Sequence, residues 1–481
     1  MVSVPAMETA LDPKRNHIPD TVGSVHLIAV CGTAMGALAC MLKDLGLSVT
    51  GSDAKIYPPM SDFLASRGIT VADGFDPARL EPGPDLVVVG NAVSRDNPEA
   101  QALARLGLAY CSLPQALNHF AARGKKALVV AGTHGKTTTA ALLAWVLYHA
   151  GRDPSFLIGG ILNNFESNFR LGQGDCIVIE GDEYDTAFFD KGSKFLHFDP
   201  AVAILTSVEF DHADIFADLD RVTDAFAAFV RRIRPGSLLV AAAGMPIIDA
   251  LASTAACRTQ RYGGKGQWRA DNVAIVAPWT FFDVTCGDVF FGRFKSPLMG
   301  AHNLDNTLAV IAAGHRLGLS AAVMAEALAA FKGVKRRQQV RGVTKGITVM
   351  DDFAHHPTAV KATIAAVKPH FTAGRLIAVF EPRTNTSMRA VFQDVYPQAF
   401  DGADIVCIRQ PALLSKVLPD QRFSSAKLVA DLRVRGRDAH FFEDTEAIIA
   451  FLKESAQPGD LILVMSNGGF DEIHRRLLEA F

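Results

Sequence analysis

The stretch ALVVAGTHGKTT, Ala127 to Thr138, constrains this chain more than any other. An apolar, β-branched run stops at a loop of small residues, and Lys136-Thr137 then opens a helical run that ends before Gly151. In that order of strand, glycine-rich loop and helix, backbone N–H groups and the helix N-terminus converge on phosphate oxygens. Gly132, Thr133, His134, Gly135, Lys136, Thr137 and Thr138 therefore read as nucleotide-phosphate residues. Lys136, expected at the loop surface, serves the β/γ-phosphates, and Thr137 serves Mg²⁺. The run departs from G-x-x-x-x-G-K-[ST] at the first glycine, whose place falls within the strand. A loop of this kind implies a parallel α/β layer, since parallel strands need crossover helices.

The chain has 481 residues, too many for one ordinary core. Its strand-then-helix order repeats in three blocks. A tail over 1–22 is followed by a Rossmann-like unit over 23–122, with HLIAV, the turn CGTAMG, SVTGSD and DLVVVGN. The central unit over 123–334 carries the phosphate loop, CIVIEGDE and AVAILTSVEFDH, and then a glycine-punctuated alternation between Tyr262 and Leu298 that predicts extra antiparallel strands. A second Rossmann-like unit over 335–481 contains ITVMDDFAHHP, RLIAVFEPR, ADIVCIRQ and DLILVMSNGG. The expected class is three-domain α/β.

With 48 Lys+Arg against 50 Asp+Glu, the formal charge of −2 and the lack of a basic stripe argue against a nucleic-acid partner. No apolar run is long enough for a membrane span or a secretory leader. The seven cysteines are scattered without a C-x-x-C pair and read as free thiols of a reducing compartment. A cytoplasmic location is expected.

Three further clusters carry chemistry. EGDEYD ends a buried strand with carboxylates suited to Mg²⁺, Glu180 foremost, and EFDH brings Glu209, Asp211 and His212 to the same edge. His302, Asn303 and Asn306 of HNLDN either cap the helix that follows or read a purine edge. In the first unit, Gly32 and Gly36 do not complete G-x-G-x-x-G, yet Asp53 follows Gly32 at the separation where a carboxylate meets a ribose hydroxyl. A phosphate-loop hydrolase or kinase leaves that turn unexplained, and a nicotinamide dehydrogenase leaves the phosphate loop without purpose.

Taken in order, GTHGKTT, EGDEYD, EFDH, HNLDN, the arginines of GVKRR and DDFAHHPT resemble the Mur ligase family from about Val25 to the C-terminus. The resemblance implies an ATP-dependent, ADP-forming amide ligase that uses Mg²⁺. Within the family, CGTAMGALA, GSDAKIYPPMS, YDTAFFDKGSKFLHFDP, FEPRTNTSMR and VMSNGGF are similar to the branch that joins UDP-N-acetylmuramate to the tripeptide L-alanyl-γ-D-glutamyl-meso-diaminopimelate in peptidoglycan recycling. The branch that joins free L-alanine is the alternative.

By the same resemblance, Lys136, Glu180, His212, Arg337, Asp352 and His355 are catalytic, and Thr137, Glu180 and His212 hold metal. His302, Asn303, Asn306, Arg337 and Asp352 join the phosphate loop around ATP. Gly32, Thr33, Met35, Gly36, Ser52 and Asp53 take the UDP-sugar, and His355, Arg383, Asn385 and Arg389 take the peptide. A monomer or weak homodimer is expected.

Overall fold

The structure is a computed structural model that describes residues 11–56, 60–412, 414 and 417–481. The first ten residues of the expected tail, and Tyr57, Pro58 and Pro59 of GSDAKIYPPMS, lie outside that set. The described part of the tail is tied down: Leu11 is buried, and the Asp12 and His17 amides donate to the hydroxyl and carbonyl of Tyr110.

The first sheet is wholly parallel, ordered Thr70–Asp73, Ser48–Asp53, Ser24–Ile28, Leu86–Val89, Tyr110–Ser112. The order reverses beside Ser24–Ile28, and a crevice opens there at the carboxyl ends of the strands. Helix Thr33–Asp44 starts from that crevice.

The central sheet has ten strands. Lys126–Ala131 lies between Pro200–Leu205 and Cys176–Gly181, all parallel, so three functional loops leave one edge side by side. Helix Lys136–His149 is buried nearly all round against helix Ala301–Arg316, because alanines at 140, 141 and 144 let the neighbours approach. Truncating Leu142 or Leu143 to alanine in this packing costs about 2–5 kcal/mol. The expected antiparallel strands are Trp268–Val276, Trp279–Cys286 and Val289–Ser296 at the far edge.

The third sheet has six strands, five of them parallel, with Gln339–Thr344 antiparallel at one edge. Its central strands are fully buried, with apolar clusters on both faces. Arg336 locks the entry to this unit by donating to the carbonyls of Ser466 and Gly468 at 2.5 and 2.6 Å.

Hairpin Asp185–Ala187 with Asp190–Ser193 reaches out of the central unit to the first. Ala187 and Phe189 are buried in the apolar cluster of Ile28, Val87, Val89 and Tyr110, and the Phe189 and Tyr110 rings meet edge to face at 5.4 Å.

Candidate active site

The phosphate loop is shaped by two glycines that nothing larger can replace. Gly132 has φ +138, and a Cβ there would lie 2.1 Å from Thr206 Oγ1; Gly135 has φ +79, and its Cβ would lie 2.6 Å from Asn306 Oδ1. The loop is pinned from the neighbouring strand end, where the His134 amide donates to Ser207 Oγ at 2.8 Å and Thr206 Oγ1 donates to the His134 carbonyl at 2.5 Å.

Lys136 is not the surface lysine expected from the sequence. Its ammonium is largely buried, donating to the Gly132 carbonyl at 2.5 Å and to Glu183 Oε2 at 2.8 Å. Burial opposes the charge, yet Glu183 and Asp182 outweigh it and hold the lysine above its usual pKa. Glu183 is also buried, and despite that burial Lys136 and His212 hold it down at about 2. His212 Nε2 stands 3.2 Å from Glu183 Oε1, and this carboxylate raises the imidazole pKa against the effect of burial. The sequence reading named Glu180 and left Glu183 without a role.

Glu180 accepts from Thr137 Oγ1 at 2.8 Å and from the Gly159 amide at 2.7 Å. Burial, then Asp182, pushes its pKa up. Thr137 and Glu180 thus form a pair of hard oxygens suited to Mg²⁺, whereas His212 faces Glu183, so the expected metal residues divide into two neighbouring groups.

The third unit closes the cleft. Arg337 donates to Thr137 Oγ1 at 3.3 Å and lies over the Phe353 ring at 4.7 Å. Asp352 accepts the amides of Gln338 and Ala354, each at 2.8 Å, and burial raises its pKa. His302, Asn303, Asn306, Arg337 and Asp352 line one pocket with the phosphate loop. The capping reading of HNLDN fails, since Gly300 is the N-cap and makes no side-chain cap. Instead Asn303 donates to the Met299 carbonyl and Gln338 Oε1, and Asn306 donates to Asn303. Burial, then His134, lowers the His302 pKa to about 4.

The expected sugar residues are only partly on a surface. Gly32 and Thr33 are exposed at the helix start, and Asp53 Oδ2 accepts the Cys31 amide at 2.8 Å. Met35 and Ser52, however, are buried: Met35 joins the apolar core, and the Ser52 hydroxyl donates to buried Glu99. Gly36 is a packing residue, since its Cβ would meet Met60 Sδ at 2.3 Å.

The expected peptide residues sit at the carboxyl ends of the third sheet, and each already has a protein partner. Asn385 donates to Asp214 of the central unit at 2.8 Å, and Arg389 reaches Gln421 at 3.3 Å. Arg383 lies 3.6 Å from buried Glu381, and its side chain fills the space above Gly468. His355 donates from Nδ1 to the Phe353 carbonyl at 3.1 Å, with Nε2 3.7 Å from Asp211.

Comparison with known proteins identifies the three units of the chain. Residues 24–125 match the pattern described as Mur ligase family, catalytic domain; residues 130–314 match the Mur ligase middle domain, and 336–468 the Mur ligase, glutamate ligase domain. The UDP-N-acetylmuramate–L-alanyl-γ-D-glutamyl-meso-2,6-diaminoheptandioate ligase of Escherichia coli (strain K12) is 42% identical over 95% of this chain and 98% of its own. A crystal structure of a murein peptide ligase from Psychrobacter arcticus 273-4 is 35% identical, with a TM-score of 0.70 over 95% of this chain and 98% of that one. The UDP-N-acetylmuramate–alanine ligase of Thermotoga maritima superposes with a TM-score of 0.78 at 26% identity, over 95% of this chain and 98% of that one. Backbone shape is thus shared by both kinds of ligase, and sequence identity separates them. With all three units matched in order over nearly its whole length, the chain belongs to the Mur ligase family.

Proposed function

We infer that the chain is an ATP-dependent, ADP-forming ligase that joins the lactyl carboxylate of UDP-N-acetylmuramate to the amine of L-alanyl-γ-D-glutamyl-meso-diaminopimelate, in peptidoglycan recycling. The observation that carries this reading is the convergence of Glu180 and Arg337 on Thr137 at the phosphate loop, in a chain 42% identical to a ligase of that name. A carboxylate is a poor electrophile. ATP activates it as an acyl phosphate, the amine attacks the acyl carbon, and phosphate leaves.

In this reading Lys136 and Arg337 supply preorganised positive charge where phosphoryl oxygens crowd together. Thr137 and Glu180 would hold Mg²⁺, which supplies further charge for those oxygens. Their fit to a hard cation rests on two oxygens 2.8 Å apart in a desolvated corner. His212 is assigned to the same metal-facing edge through its contact with Glu183. His302, Asn303, Asn306 and Asp352 frame the nucleotide, and closure of the third unit keeps water from the activated acid.

The exposed turn at Gly32 and Thr33, with Asp53 behind it, is assigned to the UDP-sugar. Arg383 and His355 are assigned to the peptide, supported by their place at the carboxyl ends of the third sheet. Since Asn385 and Arg389 are engaged with Asp214 and Gln421, we give them a supporting role in that loop. No helix among the described residues is long and apolar enough to cross a membrane. We propose a cytoplasmic, monomeric or weakly dimeric enzyme on the nature of its nucleotide substrates.

Phosphate release tests the function. It is expected only when ATP, UDP-N-acetylmuramate and the tripeptide are all present. Release with free L-alanine in preference to the tripeptide would assign the chain to the alanine-joining activity.

A further inference from the structure

His134 of the phosphate loop, Glu209 beyond strand Pro200–Leu205 and His356 at the start of helix Pro357–Val367 bring three ligand atoms within 4.8 Å of one another. Glu209 Oε2 stands 3.5 Å from His134 Nε2 and 3.7 Å from His356 Nδ1. Two imidazoles and a carboxylate bound to one Zn²⁺ at about 2.0–2.1 Å have ligand atoms somewhat over 3 Å apart. The two Glu209 spacings therefore need only a small contraction, and the two imidazole nitrogens must close up from within 4.8 Å.

The state of each group fits a metal ligand. His134 Nε2 is a buried nitrogen with no hydrogen-bond partner. His356 donates from Nε2 to the Phe210 carbonyl at 3.2 Å, and its Nδ1 lone pair, on the side of Glu209, accepts the Thr358 amide at 3.2 Å, a capping bond that the ion would replace. A backbone carbonyl on the far nitrogen is the usual second partner of a metal-bound imidazole. Glu209 is oriented by Thr358 Oγ1, which donates to it at 2.7 Å. Burial, foremost, lowers the His356 pKa to about 4, and Glu209 is held near 2. A neutral imidazole and an ionised carboxylate are the forms a cation requires.

We propose that His134, Glu209 and His356 form a binding site for one borderline divalent cation of the Zn²⁺ class, distinct from the Thr137–Glu180 pair and bridging the central and third units. Nitrogen ligands select such an ion over Mg²⁺, which prefers oxygen. Because two ligands come from the central unit and one from the third, the bound ion clamps the cleft shut at the rim of the nucleotide pocket.

The test is Zn²⁺ binding to the full chain by competition with a chromophoric chelator, in excess Mg²⁺ and without nucleotide. One site is expected in the wild type. Its affinity should fall at least about tenfold in Glu209→Gln and in His356→Ala and remain unchanged in His212→Ala. Unchanged Zn²⁺ affinity in both of the first two variants, or loss confined to His212→Ala, overturns the proposal. Anomalous diffraction from Zn²⁺-soaked wild-type crystals gives a check free of variant folding: a peak among the three side chains supports the site, and peaks only elsewhere refute it.

Discussion

Arg337 and Thr137 are 200 residues apart in the chain, yet the guanidinium donates to the threonine hydroxyl at 3.3 Å. The contact joins the first turn of the phosphate-loop helix to the entry of the third unit, so cleft closure and the arrival of Arg337 are one event. Arg337→Ala is expected to lower kcat by about 10²–10³, the usual cost of removing one charge-stabilising donor. Arg337→Lys should not restore it, because a point charge lacks the planar fork. Steady-state kinetics decide this, and near-wild-type turnover in the lysine variant would count against the assigned role.

Lys136→Ala is expected to abolish phosphate release with all substrates saturating. Because Lys136 is buried against Glu183, the change also takes one of two cationic partners from a buried carboxylate, so a lower unfolding midpoint accompanies the lost activity. Circular dichroism should still show the native helix and strand content. Activity within tenfold of wild type would remove Lys136 from the chemistry.

Glu183 connects the site to pH. Its pKa in the folded chain is about 2 against an ordinary 4.5. A depressed carboxylate contributes stability that is present above its ordinary pKa and lost as pH falls toward the folded value. The difference in unfolding free energy between wild type and Glu183→Gln is therefore expected to be largest above about pH 4.5 and to shrink toward pH 2. Urea unfolding across this range measures it, and a difference that does not vary with pH contradicts the pairing.

Asp53 holds the Cys31 amide at 2.8 Å, so Asp53→Ala should loosen the turn that carries Gly32 and Thr33. The expected result is a raised KM for the UDP-sugar and a KM for ATP within about twofold of wild type, since loss of one charged hydrogen bond acts locally. An equal rise for both substrates would show that the first unit does not bind the sugar separately.

The amine substrate brings several carboxylates, and Arg383 is the half-buried cation at the carboxyl end of strand Leu376–Phe380 assigned to meet them. Arg383→Ala is expected to raise the tripeptide KM about tenfold or more while the KM values for ATP and UDP-N-acetylmuramate stay near wild type, as loss of a charge-assisted pair predicts. A fall in kcat with all three KM values unchanged would assign Arg383 to folding of the loop instead.

Much of the fold was legible because short apolar strands, glycine turns and helical runs alternate with little ambiguity. The buried strands of the third unit and the antiparallel run after Tyr262 are examples. The missed strands Thr70–Asp73 and Asp438–Phe442 lie at sheet edges, where half-exposed positions admit polar residues and blur the pattern. Within the site, the phosphate loop was legible from local order alone. Glu183 was not, because its role depends on Lys136 and His212, which only the tertiary fold brings to it. Ser52, assigned to the sugar by resemblance, turns its hydroxyl toward buried Glu99 instead.

The hairpin whose Phe189 lies in the first unit begins two residues after Glu183. The backbone that anchors the hairpin in the first unit thus runs, two residues earlier, into the carboxylate that pairs with Lys136. Nucleotide phosphates reaching that lysine must compete with an anion already in place, so phosphate recognition here is an exchange of partners.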